Sequence, residues 1–224
     1  MAQLNTQFSQ ADRDAINRAV KEAESQTSAE VIPVIAASSG RYDRSEDVVG
    51  LWVGLTAFLA VWLIFPIKSE SASWGAPSPI WHFAAYAAAI VAGFLLGAFV
   101  ASRVSVLGRL FTPAQQLRDE VQLRARAVFF DQRVHHTACG SGVLLYVSLF
   151  ERVATVLADQ SVIDKLGQSQ IDKWCAEFTG RLQSASPVAA LAETIREVGR
   201  CLSKSMPRAE NDVNELSDAL VVLA

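Results

Sequence analysis

Two long stretches of the chain contain no acidic or basic residue. Residues 48–67 are 20 consecutive uncharged residues, and residues 71–102 are 32 more in which His82 is the one titratable exception besides tyrosine. A helix rises about 1.5 Å per residue, so about 20 apolar residues cross the hydrocarbon core of a bilayer. The pattern predicts two membrane-spanning helices, at 48–67 and 80–101, joined as a transmembrane hairpin. The buried helices of a soluble core seldom run this length without a charge on the outer face.

Both predicted spans carry small residues at four-residue spacing, which lets two helix backbones approach closely. These residues are Gly50 and Gly54 in the first span, and Ala89, Gly93, Gly97 and Ala101 in the second. The stripe predicts either a packed hairpin or the seam of a homodimer. A chance distribution of residues common in membrane helices is the third interpretation.

The segments that flank the hairpin alternate between helical and strand patterns of apolar residues. The predicted elements are helix 9–27, strand 30–36, helix 112–130, two strands within 142–159, and helices 169–183 and 187–205. Pro33 lacks a backbone donor and therefore predicts an edge position or a bulge for the first strand. The polar break at Glu151 and Arg152 predicts an antiparallel hairpin between the second and third strands.

A single strand before the hairpin is not stable alone, and the other strand patterns all follow the hairpin. Residues 1–47 and 103–208 are therefore predicted to form one discontinuous α/β domain, interrupted by the hairpin at 48–102. The expected architecture is an αβα layered fold with a three- to four-stranded mixed sheet. Residues 209–224 are predicted to be an acidic tail that packs weakly or is mobile.

Charge near the spans predicts the orientation of the hairpin. Arg41 and Arg44 precede the first span, and Arg103 and Arg109 follow the second, whereas Lys68 is the one basic residue of the connecting loop. Basic residues favour the cytoplasmic side, so both termini are expected in the cytoplasm of a bacterial inner membrane, in a multi-pass protein.

Overall composition narrows the classes of partner. The net charge is −3 and the pI is about 5.6, which argues against a nucleic-acid partner because such proteins usually present a basic surface. The cysteines are Cys139, Cys175 and Cys201, an odd number with no CxxC spacing. Free thiols in a reducing compartment fit this pattern best.

Two segments resemble a known family. The TPM domain is similar to TSAEVIPVIA at 27–36 and to GVLLYVSLFERVATVLAD at 142–159. The resemblance continues through a predicted helix around Trp174 and a second predicted helix that ends near Cys201. This is the family of the thylakoid-lumen acid phosphatase and photosystem II repair proteins, with many bacterial membrane relatives. The resemblance implies an αβα fold, a membrane context, and either phosphatase activity or maintenance of membrane complexes. Relatives often carry their spans at the ends of the domain, whereas this chain carries them inside it.

Four charged residues are candidates for chemistry. Glu30 begins the first strand and Asp159 ends the third, and strand ends are favoured places for ligand sites in α/β folds. Their carboxylates suit Ca²⁺ or Mg²⁺, or acid–base work, and the alternative is capping and solvent exposure. Arg152 and Arg126 are candidates to contact phosphate, the alternatives being a hairpin turn and an exposed helix face.

Two functions follow as hypotheses. The first is a non-enzymatic factor, anchored in the lipid bilayer, that binds other membrane proteins for assembly or maintenance; a homo-oligomer is an open alternative. The second is a membrane-anchored, divalent-ion-dependent phosphatase that uses Glu30 and Asp159. Transport is disfavoured because neither span contains Asp, Glu, Lys or Arg.

Overall fold

The computed structural model describes residues 8–40, 43–66, 80–104, 109, 112–135, 141–209 and 219–223. The chain divides into two compact units, an α/β unit made of Met1–Gly40 with Ala114–Ala224, and a helical unit, Arg41–Pro113. The described helices are α1 Gln10–Glu24, α2 Asp43–Ile64, α3 Ile80–Arg103, α4 Ala114–Asp131, α5 Gln160–Leu166, α6 Gln168–Ser184 and α7 Pro187–Ser205. The described strands are β1 Val31–Ala36, β2 Val143–Ser148, β3 Val153–Ala158 and β4 Val221–Leu223.

The α/β unit is organised around a four-stranded mixed sheet in the order β3-β2-β1-β4. Strand β1 is parallel to both β2 and β4, and β2 is antiparallel to β3. All six residues of β1 and all six of β2 are buried, as expected for strands covered on both faces. The prediction of a mixed α/β fold with a sheet of this size is confirmed.

Alternating side chains of the strands enter two separate hydrophobic cores. Val31 and Ile35 of β1 lie in the first core, with residues from α1, α5, α6 and α7. Ile32 and Val34 lie in the second core, with residues from α4. The period of two along the strand thus determines which helices each side chain meets.

Strand β1 occupies a central position, so the prediction of an edge strand from Pro33 is wrong. The backbone nitrogen of Ala37 donates to the Leu223 oxygen at 2.9 Å. The backbone N–H and C=O groups of the odd-numbered residues of β1 therefore point toward β4. Pairing with β4 begins only at Val34. The nitrogen of Pro33, which has no hydrogen, therefore points to the side of β4 just before the ladder starts, where its missing donor breaks no bond.

Two further elements were not predicted from the sequence. Residues 160–166 form α5, whose N-cap is Asp159, and one of the seven helix residues, Val162, is buried. The end of the predicted acidic tail supplies β4, three residues long. Both elements are too short for a hydrophobic period to be recognised.

In the described part of the helical unit, α2 and α3 pack against each other through glycines. A Cβ on Gly93 would lie 2.9 Å from the Cα of Gly54 and 2.9 Å from the Cβ of Ala57. A Cβ on Gly97 would lie 3.0 Å from the Cα of Gly50. The structure thus places Gly50, Gly54, Gly93 and Gly97 in the contact between the two helices, with Ala101 also buried and Ala89 half-buried.

The outer faces of α2 and α3 remain apolar and exposed. Large exposed side chains include Leu55, Trp62, Leu95 and Phe99. Residues 46–64 and 80–103 have mean hydropathies of 2.0 and 2.2 over the best window of each, and both helices are long and apolar enough to cross a membrane. At one end of the pair, the Tyr86 hydroxyl donates to the Phe65 carbonyl oxygen at 2.7 Å.

The outer edge of β3 is closed by side chains of α6. The Thr179 hydroxyl donates to the Ala154 oxygen at 3.0 Å and accepts from the Ala154 nitrogen at 3.3 Å. The Cys175 thiol accepts from the Val156 nitrogen at 3.1 Å and donates to the Val156 oxygen at 3.5 Å. Four backbone groups that an edge strand would offer to another chain are therefore occupied.

Replacing Cys175 with alanine is expected to lower the free energy of unfolding of the α/β unit by about 1–2 kcal/mol, because both backbone groups of Val156 lose their partner. Serine, which donates and accepts in the same way, should recover part of the loss. Urea denaturation of the detergent-solubilised protein measures both variants. Equal stability of the alanine and serine variants would show that the thiol does not protect this edge.

Stability should also fall at alkaline pH because of Cys175. Burial raises the pKa of this thiol, against the smaller effect of its hydrogen bonds to Val156 and Thr155. A raised folded-state pKa contributes stability below the unfolded pKa, about 8.5, and that stability is lost as the pH rises through the folded value. Urea midpoints should therefore decline above about pH 8.5 more steeply in the wild type than in Cys175→Ser. Parallel pH profiles for the two proteins would contradict the assignment.

Candidate functional site

The predicted carboxylate pair lies at one end of the sheet. The Val143 nitrogen donates to the Glu30 oxygen at 2.8 Å, and the Asp159 nitrogen donates to the Gly142 oxygen at 2.9 Å. Glu30 and Asp159 thus flank the start of β2, on strands whose backbones are about 10 Å apart across two strand spacings. Glu30 is buried, and the Asp159 carboxylate caps α5 by accepting from the Gln160 nitrogen at 2.7 Å.

The two predicted arginines do not join that pair. Arg152 lies in the turn between β2 and β3, at the opposite end of strands that are about 20 Å long. Arg126 lies on the exposed face of α4. In the described part of the chain, no group of three or more His, Cys, Asp or Glu residues could hold a metal ion. The Ca²⁺ or Mg²⁺ site stays a prediction.

A buried polar cluster occupies the carboxyl ends of the parallel strands β1 and β2, a favoured place for ligand sites in α/β folds. It consists of Ser39, Tyr146, Ser148 and Glu151, and is called here the Glu151 cluster. Glu151 is 4 % exposed, and Tyr146 and Ser148 are fully buried. The cluster lies after the end of β1, beside Gly40, the last residue of the first segment of the α/β unit.

The Glu151 carboxylate holds the loop that follows β1. Its Oε1 accepts from the backbone nitrogens of Ser39 at 2.8 Å and Gly40 at 3.3 Å. Its Oε2 accepts from the Ser148 hydroxyl. Hydrogen bonds to a buried charged acceptor are about twice as strong as neutral ones, so this carboxylate fixes the course of the loop.

The hydroxyls of the cluster form a directed chain. Ser39 Oγ donates to Ser148 Oγ at 2.9 Å, and Ser148 in turn donates to Glu151. A hydroxyl has one proton, so Ser39 must accept from the Tyr146 hydroxyl, 2.9 Å away. Burial has the largest effect on the Tyr146 phenol and raises its pKa. The hydrogen bond with Ser39 and the charge of Arg124 lower that pKa, and the charge of Glu151 raises it. The phenol therefore stays protonated at neutral pH and donates along the chain.

Two surface cavities lie beside these elements in the α/β unit. One of about 380 Å³ is lined by Ser148 and Arg152 and by the connection from α6 to α7. Another of about 490 Å³ runs along β3 between α4 and α6, with Arg118 and Asp172 on its walls and Cys175 beneath. Both cavities open to the surface.

Arg152 adopts a backbone conformation that favours glycine, with φ of 52°. Replacing Arg152 with glycine should therefore raise the free energy of unfolding by about 1 kcal/mol, since the left-handed conformation penalises a side chain. Arg152→Ala, which retains the penalty, is the matched control, and urea denaturation distinguishes the two. A glycine variant no more stable than the alanine variant would mean that the turn is unstrained.

Comparison with known proteins supports the fold. No family model matches the chain, and no curated protein matches it. One solved structure, the NMR structure of the BA42 protein from the psychrophilic bacterium Bizionia argentinensis, is similar over 99 % of this chain and 99 % of that chain, with a TM-score of 0.56 and 15 % identity. At that identity the similarity shows the fold alone. The TPM resemblance stays a prediction.

Proposed function

We propose that this chain is an integral membrane protein of the TPM type, whose α/β unit binds other membrane proteins and aids their assembly or maintenance. Helices α2 and α3 would cross a bacterial inner membrane. The α/β unit and both termini would face the cytoplasm, as the basic residues around the spans favour.

The observation that carries the proposal is the surface of the helical unit. Helices α2 and α3 bury their glycines against each other and leave large side chains such as Trp52, Leu59 and Phe83 exposed. Exposed contiguous apolar surface of this extent is unfavourable in water and favourable in lipid. Because the glycines are occupied within one chain, a homo-oligomer would use a different surface.

A binding role is supported by the structural contacts that the charged side chains of the α/β unit make. Asp159 caps α5, and Glu151 holds the loop after β1. Arg181 pairs with Glu197, and although burial opposes ionisation of Glu197, the bond and charge of Arg181 hold the pKa of that carboxyl below its usual range. These groups maintain the shape of the α/β unit, which in turn presents the groove of about 490 Å³ along β3.

Affinity capture after cross-linking in native membranes tests the proposal. The wild-type chain should remain in the membrane pellet after an alkaline carbonate wash and should enrich a reproducible set of membrane proteins. Asp172→Arg keeps the same anchor and reverses a charge on the wall of the groove along β3, so it should lose those partners. Release by carbonate would contradict the anchor, and capture that is identical with the variant would contradict binding by the α/β unit.

An assay for hydrolysis of a generic phosphomonoester tests the alternative, phosphatase hypothesis. Purified protein is expected to show no activity that depends on Asp159. Hydrolysis that Asp159→Asn abolishes would favour the phosphatase hypothesis over the binding role.

A further inference from the structure

The groove of about 490 Å³ along β3 is lined by one cation and one anion, Arg118 on α4 and Asp172 on α6. Both side chains are exposed, and neither forms an ion pair with another described residue. The one hydrogen bond described for the Asp172 carboxylate comes from the Gln168 amide of the same helix, at 2.9 Å. Both charges are therefore available to a binding partner.

The neighbouring charged residues do not line the groove. Asp119 and Glu120 are displaced from Arg118 by about 100° and 200° around α4, since a helix turns by about 100° per residue. On α6, Lys173 and Glu177 pair with each other at 3.8 Å. The charge inside the groove is therefore balanced, with one positive and one negative group.

The negative group lies toward the end of β3. Helix α6 runs antiparallel to this strand, because Thr179 bonds to Ala154, whereas Cys175, earlier in the helix, bonds to Val156, later in the strand. Asp172 comes almost one turn before Cys175 and therefore lies still further along β3.

The positive group lies toward the start of β3. A Cβ on Gly142 would clash with the backbone oxygen of Val134, so the chain just after α4 lies beside Gly142. Gly142 in turn accepts a hydrogen bond from the nitrogen of Asp159, which follows β3, at 2.9 Å. Helix α4 thus ends near the end of β3, and Arg118, in its first half, lies toward the other end. The groove is positive at one end and negative at the other.

Helix α6 presents small residues to the groove. Ala176 and Gly180 follow Asp172 at intervals of four, and all three line the groove. Glycine destabilises the interior of a helix relative to alanine. A Cβ on Gly180 would meet nothing within 4 Å, so contacts with the described residues do not account for this glycine. The small residues leave room for a second helix to approach α6 closely.

An added strand does not suit this groove. Cys175 and Thr179 already occupy backbone groups on the outer edge of β3, so an occupant cannot extend the sheet there. The occupant must be recognised by its side chains, which favours a helix that carries a charge opposite to that of the groove at each end.

We propose that α6 of a second copy of this chain occupies the groove, with the two copies related by a twofold axis. The axis reverses the direction of the second groove, so Asp172 of each copy meets Arg118 of the other. The two α6 helices cross at Ala176 and Gly180, and each groove is completed by a carboxylate from the partner copy. The inference names the occupant of the groove to which the proposed function assigns binding, and it rests on that function.

Resonance energy transfer between donor- and acceptor-labelled full chains in detergent tests the pairing. Transfer between wild-type chains should rise with concentration. Arg118→Asp and Asp172→Arg should each raise the dissociation constant by about 100-fold or more, because a twofold interface contains each repulsion twice. Arg126→Asp reverses an exposed charge of α4 outside the groove and should pair as the wild type does.

A mixture of the two single variants distinguishes a second copy from any other occupant. One variant carries only acidic groups at positions 118 and 172, and the other carries only basic groups. A mixed pair therefore has opposite charges at both contacts, and energy transfer should return. The chain that carries both substitutions should also pair with itself. A groove that binds a different protein would show neither rescue.

Gly180→Leu tests the crossing of the helices. The added side chain enters a space without described neighbours, so the urea midpoint should not fall, whereas pairing should be lost. Absence of energy transfer between wild-type chains, or single charge variants that pair normally, would overturn the second copy as occupant. If Asp172→Arg still loses the captured membrane proteins in that case, the proposed function stands without this inference. Pairing that is rescued in the mixture while no other membrane protein is captured would support the inference and contradict the wider binding role.

Discussion

Replacing Glu151 with alanine is expected to lower the free energy of unfolding of the α/β unit by roughly 3 kcal/mol. The substitution removes the acceptor for the backbone nitrogens of Ser39 and Gly40 and for the Ser148 hydroxyl. Each buried donor left without a partner costs about 1–3 kcal/mol. Ser148 is buried, whereas Ser39 and Gly40 are half-buried, so the total is well below three full penalties. Glutamine should cause a smaller loss, because it retains one carbonyl oxygen but presents an amide to Ser148.

Amide hydrogen exchange of β2 and β3, resolved by mass spectrometry on the full chain in detergent, measures this loss. The matched control is Glu193→Ala, which removes a surface carboxylate 3.9 Å from Arg181. Exposed ion pairs contribute less than about 1 kcal/mol, so the control should exchange almost as the wild type does. Equal exchange rates for the two alanine variants would show that the Glu151 cluster does not stabilise the unit.

Replacing Gly93 with leucine should disrupt the packing of α2 against α3. Even a Cβ at this position would lie 2.9 Å from the Gly54 Cα and 3.0 Å from the Val53 oxygen. Both are backbone atoms that cannot move aside without separating the helices. Forcing extra atoms into a packed contact typically costs about 1–3 kcal/mol, and the backbone contact places this variant at the upper end.

An SDS titration followed by tryptophan fluorescence tests the Gly93→Leu variant. Ala87→Leu adds a side chain of the same kind to an exposed position of α3 and is the matched control. The Gly93 variant should unfold at a lower fraction of SDS, while the control should unfold as the wild type does. Coincident transitions for the two variants would mean that Gly93 does not lie in a close helix contact.

Patterns of apolar residues were enough to predict most of the fold. The six residues of β1 and the first five of β2 are continuous buried runs of mostly apolar residues. The argument that a lone strand needs partners led to a sheet shared by the two flanks. The same patterns missed β4, because three residues at the end of an acidic segment show no period. They also misplaced β1, since the pairing of Pro33 depends on where β4 begins.

Local sequence patterns could not predict the Glu151 cluster. Ser39 and Glu151 are 112 residues apart in the chain, and their contact exists only because β1 and β2 are parallel neighbours. From the sequence alone, Glu151 belongs to the polar break of a predicted antiparallel hairpin. A polar residue at the carboxyl end of each of two strands that prove to be parallel is the signal that would have found the cluster.

Topology mapping by cysteine labelling tests the central claim most directly. Single cysteines at Ser9, Ser71 and Ser169 are introduced into a variant without the native cysteines and are labelled from each side of the native membrane. If α2 and α3 cross the bilayer and return the chain to its starting side, Ser9 and Ser169 will be labelled from the cytoplasm and Ser71 from the other side. Labelling of Ser9 and Ser169 from opposite sides would contradict the account, because β1 and β2 form one sheet and cannot be separated by a bilayer.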